Sequence, residues 1–164
     1  MLFVVMLGGK HPRAKIEIHD VVFARGENLE EIYPQLRQQW FGAPTGLHID
    51  SWFMVDGVAD HQVRFSDIAP NEGDLRLFFI NLGGYQQGQF GEEHQYLLVV
   101  AKDKASAKQQ GKAIANKQWQ QPHTDNLLDV DDCIPIDHVG GRYIQLIAGP
   151  HQGMLIQNKY IVLS

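Results

Sequence analysis

Short apolar runs of strand length recur along the chain, and the first pair of them marks the same local pattern twice. Residues 2–7 and 77–82 are almost entirely apolar, which is typical of a buried β-strand. Each run is followed by a glycine pair, Gly8-Gly9 and Gly83-Gly84. Because glycine adopts the positive φ that a tight turn requires, the pattern predicts a strand that ends in a glycine turn.

Further strands follow each glycine turn. Segments near residues 16–24 and 93–101 are rich in Val, Ile, Leu and aromatic residues, which favours a second strand. A third strand is predicted at residues 48–55 and 123–130. The order strand, strand, helix, strand is therefore expected twice.

Each predicted helix lies between the second and third strands. Asn28 and Asp103 are suitable N-caps, because their side chains accept hydrogen bonds from the first turn of a helix. Pro34 requires the first helix either to kink or to begin later. The residues near one helical face are Leu29, Ile32, Leu36 and Trp40 in the first helix and Ala107, Gly111, Ile114 and Trp119 in the second.

The two segments are related by a constant interval of 75 residues. Residues 2–58 and 77–133 share twelve identical positions, whereas average composition would supply about three. Two of the twelve are histidines that recur inside the same polar pairs. The identical positions are Leu2/Leu77, Phe3/Phe78, Leu7/Leu82, Gly8/Gly83, Gly9/Gly84, Glu17/Glu92, His19/His94, Gln35/Gln110, His48/His123, Asp50/Asp125, Val55/Val130 and Asp56/Asp131.

This interval predicts an α+β fold built as a tandem pseudo-symmetric repeat of a β-β-α-β unit. We expect a mainly antiparallel sheet with one helix per repeat packed on it. The first unit is residues 1–66 and the second unit is residues 75–148, joined by a short polar linker. Residues 142–148 and 154–163 are predicted to form a closing β-hairpin, with 149–164 as a C-terminal addition. Units this small are expected to pack as one body.

The composition excludes some classes of function but does not identify one. The net charge of −5 and the pI near 5.8 argue against a general nucleic-acid surface, which needs a basic face. The single cysteine, Cys133, excludes an intramolecular disulfide and is expected to be a small buried residue. We find no secretory signal pattern and no apolar run of membrane-spanning length, so a cytoplasmic location without a membrane partner is expected.

The order of these motifs resembles a known bacterial family. Leu-Gly-Gly, Glu-x-His, a helix ending near Trp, His-x-Asp and Val-Asp are similar to the family of domain of unknown function 1543. The resemblance covers nearly the whole chain except about its last twenty residues. It implies one or two copies of the repeated unit, and it implies no activity.

The polar pairs are the candidate site. Alternate residues of a strand point to the same face, so neighbouring second and third strands would gather two carboxylates and two imidazoles in each unit. Three interpretations stay open: a structural hydrogen-bonded network, an organic-ligand or partner surface, and a transition-metal site. The candidate residues are Glu17, His19, His48 and Asp50 in the first unit and Glu92, His94, His123 and Asp125 in the second.

The loop after the first glycine pair is a weaker candidate. Backbone N–H groups of Gly8 and Gly9, with Lys10 and Arg13, could bind an anion, but a plain turn is favoured because no Walker or Gly-x-Gly-x-x-Gly pattern is present. No nucleophile elbow accompanies Ser51, so Ser/His/Asp catalysis is not supported.

The sequence therefore favours a non-catalytic module that binds a small molecule or a protein and uses no cofactor. The alternative is a metal-dependent, hydrolytic enzyme in which His19 and His48 bind the metal while Glu17 and Asp50 supply a ligand and a base. Nucleotide or RNA binding through residues 10–13 is the least favoured. Exposed strand edges leave homodimer formation open.

Overall fold

Strands dominate the structure, a computed structural model that describes residues 1–85, 88–118 and 129–163, with residues 116–118 as backbone only. In chain order the elements are β1 (Leu2–Gly9), β2 (Ile18–Arg25), α1 (Leu29–Gln39), β3 (His48–Val55), β4 (Gly57–Val58), β5 (His61–Ser66), β6 (Arg76–Gly84), β7 (Glu93–Ala101), α2 (Lys104–Gln118), β8 (Asp129–Pro135), β9 (His138–Val139), β10 (Arg142–Ala148) and β11 (Met154–Val162). None of the described helices is long and apolar enough to span a membrane.

The strands of the described residues form three antiparallel sheets instead of the single sheet that was expected. Their orders are β11-β3-β1-β2, β7-β6-β8 and β4-β5-β10-β9. All the strand pairs are antiparallel, so the predicted α+β class with mainly antiparallel pairing is confirmed. Helix α1 packs against β2, and α2 packs against β6, β7 and β8.

Both helices begin at the predicted caps. The Glu31 backbone N–H donates to Asn28 Oδ1 at 3.1 Å, and the Ser106 backbone N–H donates to Asp103 Oδ1 at 2.7 Å. Helix α1 continues through Pro34, so it does not begin later than Leu29. Since Pro34 is exposed, the one helix hydrogen bond that it removes leaves a carbonyl accessible to water.

The glycine pairs are not turns, which corrects the interpretation of their role. Gly8 and Gly9 are the last residues of β1, and Gly83 and Gly84 are the last residues of β6. None of the four has a positive φ. At Gly8, Gly9 and Gly83 other side chains approach the backbone closely instead, and a Cβ at Gly9 would lie 2.8 Å from the Trp40 ring.

The third strand of the second unit lies six residues further along the chain than the interval of 75 predicts. Gly8 pairs with His48, whereas its counterpart Gly83 pairs with Asp129, an interval of 129 − 48 = 81. Strand β8 begins at Asp129, and residues 123–128 of the predicted strand lie outside the described residues. The pairs Val55/Val130 and Asp56/Asp131 therefore do not occupy equivalent strand positions.

A sheet that the sequence did not predict joins the two units. Hairpin β4-β5 follows β3, hairpin β9-β10 follows β8, and β5 pairs with β10. The Val63 N–H donates to the Asp56 carbonyl at 2.9 Å, and the Ile144 N–H donates to the Asp137 carbonyl at 2.8 Å. One apolar cluster beneath this sheet contains residues of both units: Leu2, Val4, Val55, Val58 and Val63 with Leu77, Phe79, Leu98, Ile136, Val139 and Ile144.

The predicted C-terminal hairpin is wrong. Strand β10 pairs with β5 and β9, while β11 crosses to a different sheet and pairs with β3. The connection at residues 149–153 is held on the first unit, because the Asp56 N–H donates to the Gly153 carbonyl and Gln62 donates to the Pro150 carbonyl. Asp56 also accepts from the Gln152 N–H and from Arg64, and these bonds hold the pKa of its carboxyl below the usual value.

Buried aromatic and sulfur side chains match the sequence interpretation where they are described. Trp40 and Trp52 belong to the apolar cluster between α1 and its sheet, together with Ile32 and Leu36. Cys133 is a buried free cysteine, and burial raises the pKa of its thiol. Trp119 lies outside the described residues.

The shared cluster makes a testable prediction about stability. Ile144→Ala removes a side chain that is 4% exposed and contacts both units, so we expect it to lower the free energy of unfolding by about 2–5 kcal/mol in one cooperative transition. Ile147→Ala on the same strand is the control, because Ile147 is 49% exposed and should change stability by less than about 0.5 kcal/mol. Urea denaturation measures both, and two separate transitions in the parent protein would contradict the shared core.

Candidate functional site

The four polar side chains predicted in the first unit converge over Gly8, and we call them the Gly8 cluster: Glu17, His19, His48 and Asp50. Gly8 lies on the central strand β1 and pairs with His19 of β2 on one side and with His48 of β3 on the other. A Cβ at Gly8 would overlap His48 Nε2 and lie 2.7 Å from Asp50 Oδ2. The missing side chain is therefore what gives the cluster its space.

Within the Gly8 cluster, histidine nitrogens and carboxylate oxygens alternate around a ring. His19 Nε2 lies 3.4 Å from Glu17 Oε1 and 3.3 Å from Asp50 Oδ2. His48 Nε2 lies 3.5 Å from Glu17 Oε1 and 3.4 Å from Asp50 Oδ1. Each imidazole thus faces both carboxylates, and each carboxylate faces both imidazoles.

The side chains of the ring do not hydrogen-bond one another, although they are close. His48 Nε2 and Asp50 Oδ2 are both buried atoms without a hydrogen-bond partner. His48 Nδ1 lies 2.8 Å from the Gly46 carbonyl oxygen, which can only accept. Nδ1 therefore carries a proton, and Nε2 is the ring nitrogen that faces the carboxylates of the cluster.

The cluster is buried on one side and open on the other. The His48 side chain is 1% exposed, whereas about half of the Glu17 and His19 side chains and a third of Asp50 are accessible to solvent. The ring of Tyr160, from the outer strand β11, lies over His48 with a centroid separation of 4.3 Å. Sequence reasoning missed Tyr160, because the pairing of β11 with β3 carries no local signal.

The second unit has a smaller group over Gly83, the Gly83 cluster: Glu92, His94 and Asp131. One ligand atom from each of the three lies within 4.8 Å of the others, and all three residues are exposed. A Cβ at Gly83 would overlap the carboxylates of Glu92 and Asp131. His94 Nδ1 lies 3.1 Å from the Asn81 side-chain oxygen and 3.5 Å from Asp131 Oδ2.

The position equivalent to His48 in the second unit is held by Asp129. Asp129 lies opposite Gly83 and forms an ion pair with Lys112 at 2.7 Å, which lowers the pKa of its carboxyl. The predicted residues His123 and Asp125 lie outside the described residues. Asp131, which the constant interval did not assign to the site, would have been found by allowing a six-residue insertion between helix and third strand.

The loop after the first glycine pair does not extend the cluster. Gly8 and Gly9 pair with residues of β2, so their backbone belongs to the sheet. Lys10 and Arg13 are exposed, and in the part of the chain that the structure describes neither takes part in an ion pair. The Lys10 carbonyl accepts from the Ala43 N–H at 2.7 Å, which fixes this loop against the segment before β3.

Comparisons with known proteins connect the Gly8 cluster to a family. The model of the family described as Domain of Unknown Function (DUF1543) matches residues 14–65, a range that contains all four cluster residues. The chain belongs to the DUF1543 family. The expected resemblance is thereby confirmed, whereas the family match covers the first unit only.

A solved structure extends the similarity of this DUF1543 chain to its full length. Protein Il1583 from Idiomarina loihiensis is 34% identical in sequence, with a TM-score of 0.77. The match covers 99% of this chain and 97% of that protein. No curated protein matches the sequence.

The close approach at Gly8 can be tested by adding one methyl group. Gly8→Ala should lower the free energy of unfolding by about 1–3 kcal/mol, because the new Cβ overlaps His48 and buried side chains have little room to shift. Gly111→Ala in α2 is the matched control. Its Cβ would lie 3.1 Å from Ile80 Cγ2, a tight contact without the overlap found at Gly8. Because alanine favours a helix by about 0.5–1 kcal/mol over glycine, Gly111→Ala should lower stability less than Gly8→Ala.

Thermal and urea denaturation of both variants provide the measurement. Equal stability of Gly8→Ala and the parent protein would contradict the tight packing over Gly8.

Proposed function

We propose that the first unit is a binding module for a divalent transition-metal ion of the zinc class, held by the Gly8 cluster. The observation that carries this proposal is the buried His48 Nε2, which faces the carboxylates of Glu17 and Asp50 and has no hydrogen-bond partner. Burying a polar atom without a partner costs free energy, and a metal ion at the centre would remove that cost.

The spacing of the donors supports a metal ion. Zinc binds imidazole nitrogen and carboxylate oxygen at about 2.0–2.1 Å, and tetrahedral geometry then places neighbouring ligand atoms about 3.3–3.4 Å apart. The four contacts around the ring have this spacing, at 3.3, 3.4, 3.4 and 3.5 Å, but they use both oxygens of Asp50. Such spacing is poor for hydrogen bonds, which favour shorter contacts. Among the described residues, the group whose ligand atoms all lie within 4.8 Å of one another is Glu92, His94 and Asp131, so the Gly8 side chains would have to move closer together around an ion.

The surroundings of the cluster also suit a metal. A histidine ligand usually donates its other ring N–H to a carbonyl or carboxylate, which fixes the ring and raises its basicity. The Gly46 carbonyl has this role for His48. The two carboxylates would neutralise a bound divalent cation, and its binding would require each imidazole to present a deprotonated nitrogen.

The number of donors favours binding over catalysis. Catalytic zinc sites keep one coordination position for water, whereas sites with four protein ligands are closed. Because the Gly8 cluster supplies four donors, a hydrolytic reaction would require Glu17 to leave the metal and act as a base. A non-catalytic module therefore fits the geometry better than the hydrolytic alternative.

We also infer that the two units are diverged copies of one ancestral unit. Equivalent caps at Asn28 and Asp103, and equivalent backbone bonds at Val63 and Ile144, support this origin. On this interpretation the second unit lost a buried ligand when Asp129 came to occupy the position of His48. It should therefore bind the metal much more weakly than the first.

The proposal predicts one tight metal site per chain. Protein purified without an affinity tag and titrated with Zn²⁺ should bind about one equivalent, and binding should raise the melting temperature by mass action. His48→Ala should weaken binding more than tenfold, because it removes a preorganised ligand. Isothermal titration and elemental analysis measure the affinity and the stoichiometry.

His94→Ala is the matched control, since it removes the residue that occupies the position of His19 in the second unit. It should leave the tight site unchanged. Less than about a tenth of an equivalent of metal in the parent protein, or undiminished binding by His48→Ala, would overturn the proposal.

A further inference from the structure

Strand β11 is the outer strand of its sheet and is exposed along nearly its whole length. It spans nine residues, Met154–Val162, and each of them except Ile161 is exposed. Its large apolar side chains are between 45% and 63% accessible to solvent: Met154, Leu155, Ile156, Tyr160 and Val162. An edge of this kind offers unpaired backbone groups and apolar side chains together.

The other long outer strands of the described sheets carry charges that discourage pairing. Strand β2 carries Asp20 and Arg25, and β7 begins with Glu93. Strand β8 carries Asp129, Asp131, Asp132 and Pro135. Strand β11 has neither proline nor a carboxylate, and its one charged residue is Lys159. Edges that must stay unpaired are usually protected by charge, bulges or proline. Strand β11 has Lys159 and a register shift between Asn158 and Ile161, but its five exposed apolar side chains leave most of the edge open to pairing.

We propose that β11 is the interface between two copies of this chain, which pair antiparallel about a two-fold axis through Asn158. Toward β3 the register of β11 shifts between Asn158 and Ile161, so this pairing requires the outer edge of the strand to run regularly through that segment. Each residue then faces a suitable residue of the second copy. The pairs are Met154 with Val162, Leu155 with Ile161, Ile156 with Tyr160, Gln157 with Lys159, and Asn158 with itself.

The register itself identifies a second copy as the partner. Under a two-fold axis the same surface must fit itself, so apolar residues have to recur symmetrically about the centre. They do so about Asn158, and the lone Lys159 then faces a neutral amide. A centre at Lys159 would place two lysines opposite each other, which is destabilising.

Pairing at β11 would join two four-stranded sheets into one of eight strands. Met154, Ile156, Tyr160 and Val162 alternate along the strand and share one face. The axis at Asn158 brings them together with their counterparts on the same face of the continuous sheet. Tyr160, which covers His48, would then be covered in turn by Ile156 of the second copy.

Cysteine cross-linking tests the register directly. Asn158→Cys places two thiols opposite each other at the axis, within the distance range for a disulfide, so oxidation should give a covalent dimer. Met154→Cys is the control on the same strand. In the proposed register, position 154 of one copy lies eight residues along the strand from position 154 of the other. At about 3.4 Å per residue the two thiols would be about 27 Å apart, so they should not cross-link.

The mass in solution provides the second measurement. At tens of micromolar, light scattering with size-exclusion chromatography should give twice the mass of the chain for the parent protein. Ile156→Lys should raise the dimer dissociation constant more than tenfold and give the monomer mass. Ile147→Lys, an equally exposed isoleucine on β10, should remain dimeric.

A monomeric parent protein at 100 µM would overturn the proposal and leave β11 free for a strand of another protein. A dimer in which Met154→Cys cross-links as readily as Asn158→Cys would overturn it as well. Circular dichroism would be used to check that Ile156→Lys is folded. The cross-linking experiment does not depend on that variant. None of these outcomes depends on metal binding.

Discussion

The absence of a side chain at Gly8 is the constraint on which the candidate site depends. A central strand is flanked on both sides, so any two residues opposite the same position are brought together across it. At Gly8 those residues are His19 and His48, and the empty space above the glycine lets their rings and two carboxylates meet. One residue without a Cβ thus converts two separate polar motifs into one cluster.

The same constraint separates the two units chemically. Gly83 provides an equivalent space in the second unit, but the residue opposite it is Asp129, whose carboxylate is paired with Lys112. An imidazole can be buried as a neutral donor, whereas a lone carboxylate stays charged and is retained at the surface with a cation. The Gly8 cluster consequently reaches into the protein interior through His48, whereas the residues of the Gly83 cluster are all exposed.

Local sequence patterns predicted what depends on local physics. The glycine-terminated strands, the second strands and the caps at Asn28 and Asp103 follow from hydrophobic periodicity and from side-chain hydrogen bonds within a few residues. The gathering of the Gly8 cluster could also be predicted, because alternation along β2 and β3 fixes which side chains share a face. Burial of His48 and its bond to the Gly46 carbonyl could not, since they depend on residues that are distant or in a loop.

Non-local pairing accounts for what the sequence did not reveal. A constant interval cannot detect the six residues inserted before β8, and apolar alternation in residues 142–162 does not say which strand each segment pairs with.

Strand β11 covers the edge of β3, but no described strand covers the corresponding edge of β8. That uncovered edge explains the acidic residues of β8, because Asp129, Asp132 and Pro135 protect an exposed strand from pairing. The Gly8 cluster is not accounted for in this way, because it combines a buried His48 Nε2 that has no hydrogen-bond partner with two carboxylates that face it. Buried nitrogens without a partner elsewhere, such as His61 Nδ1 and Trp52 Nε1, lie outside such a cluster.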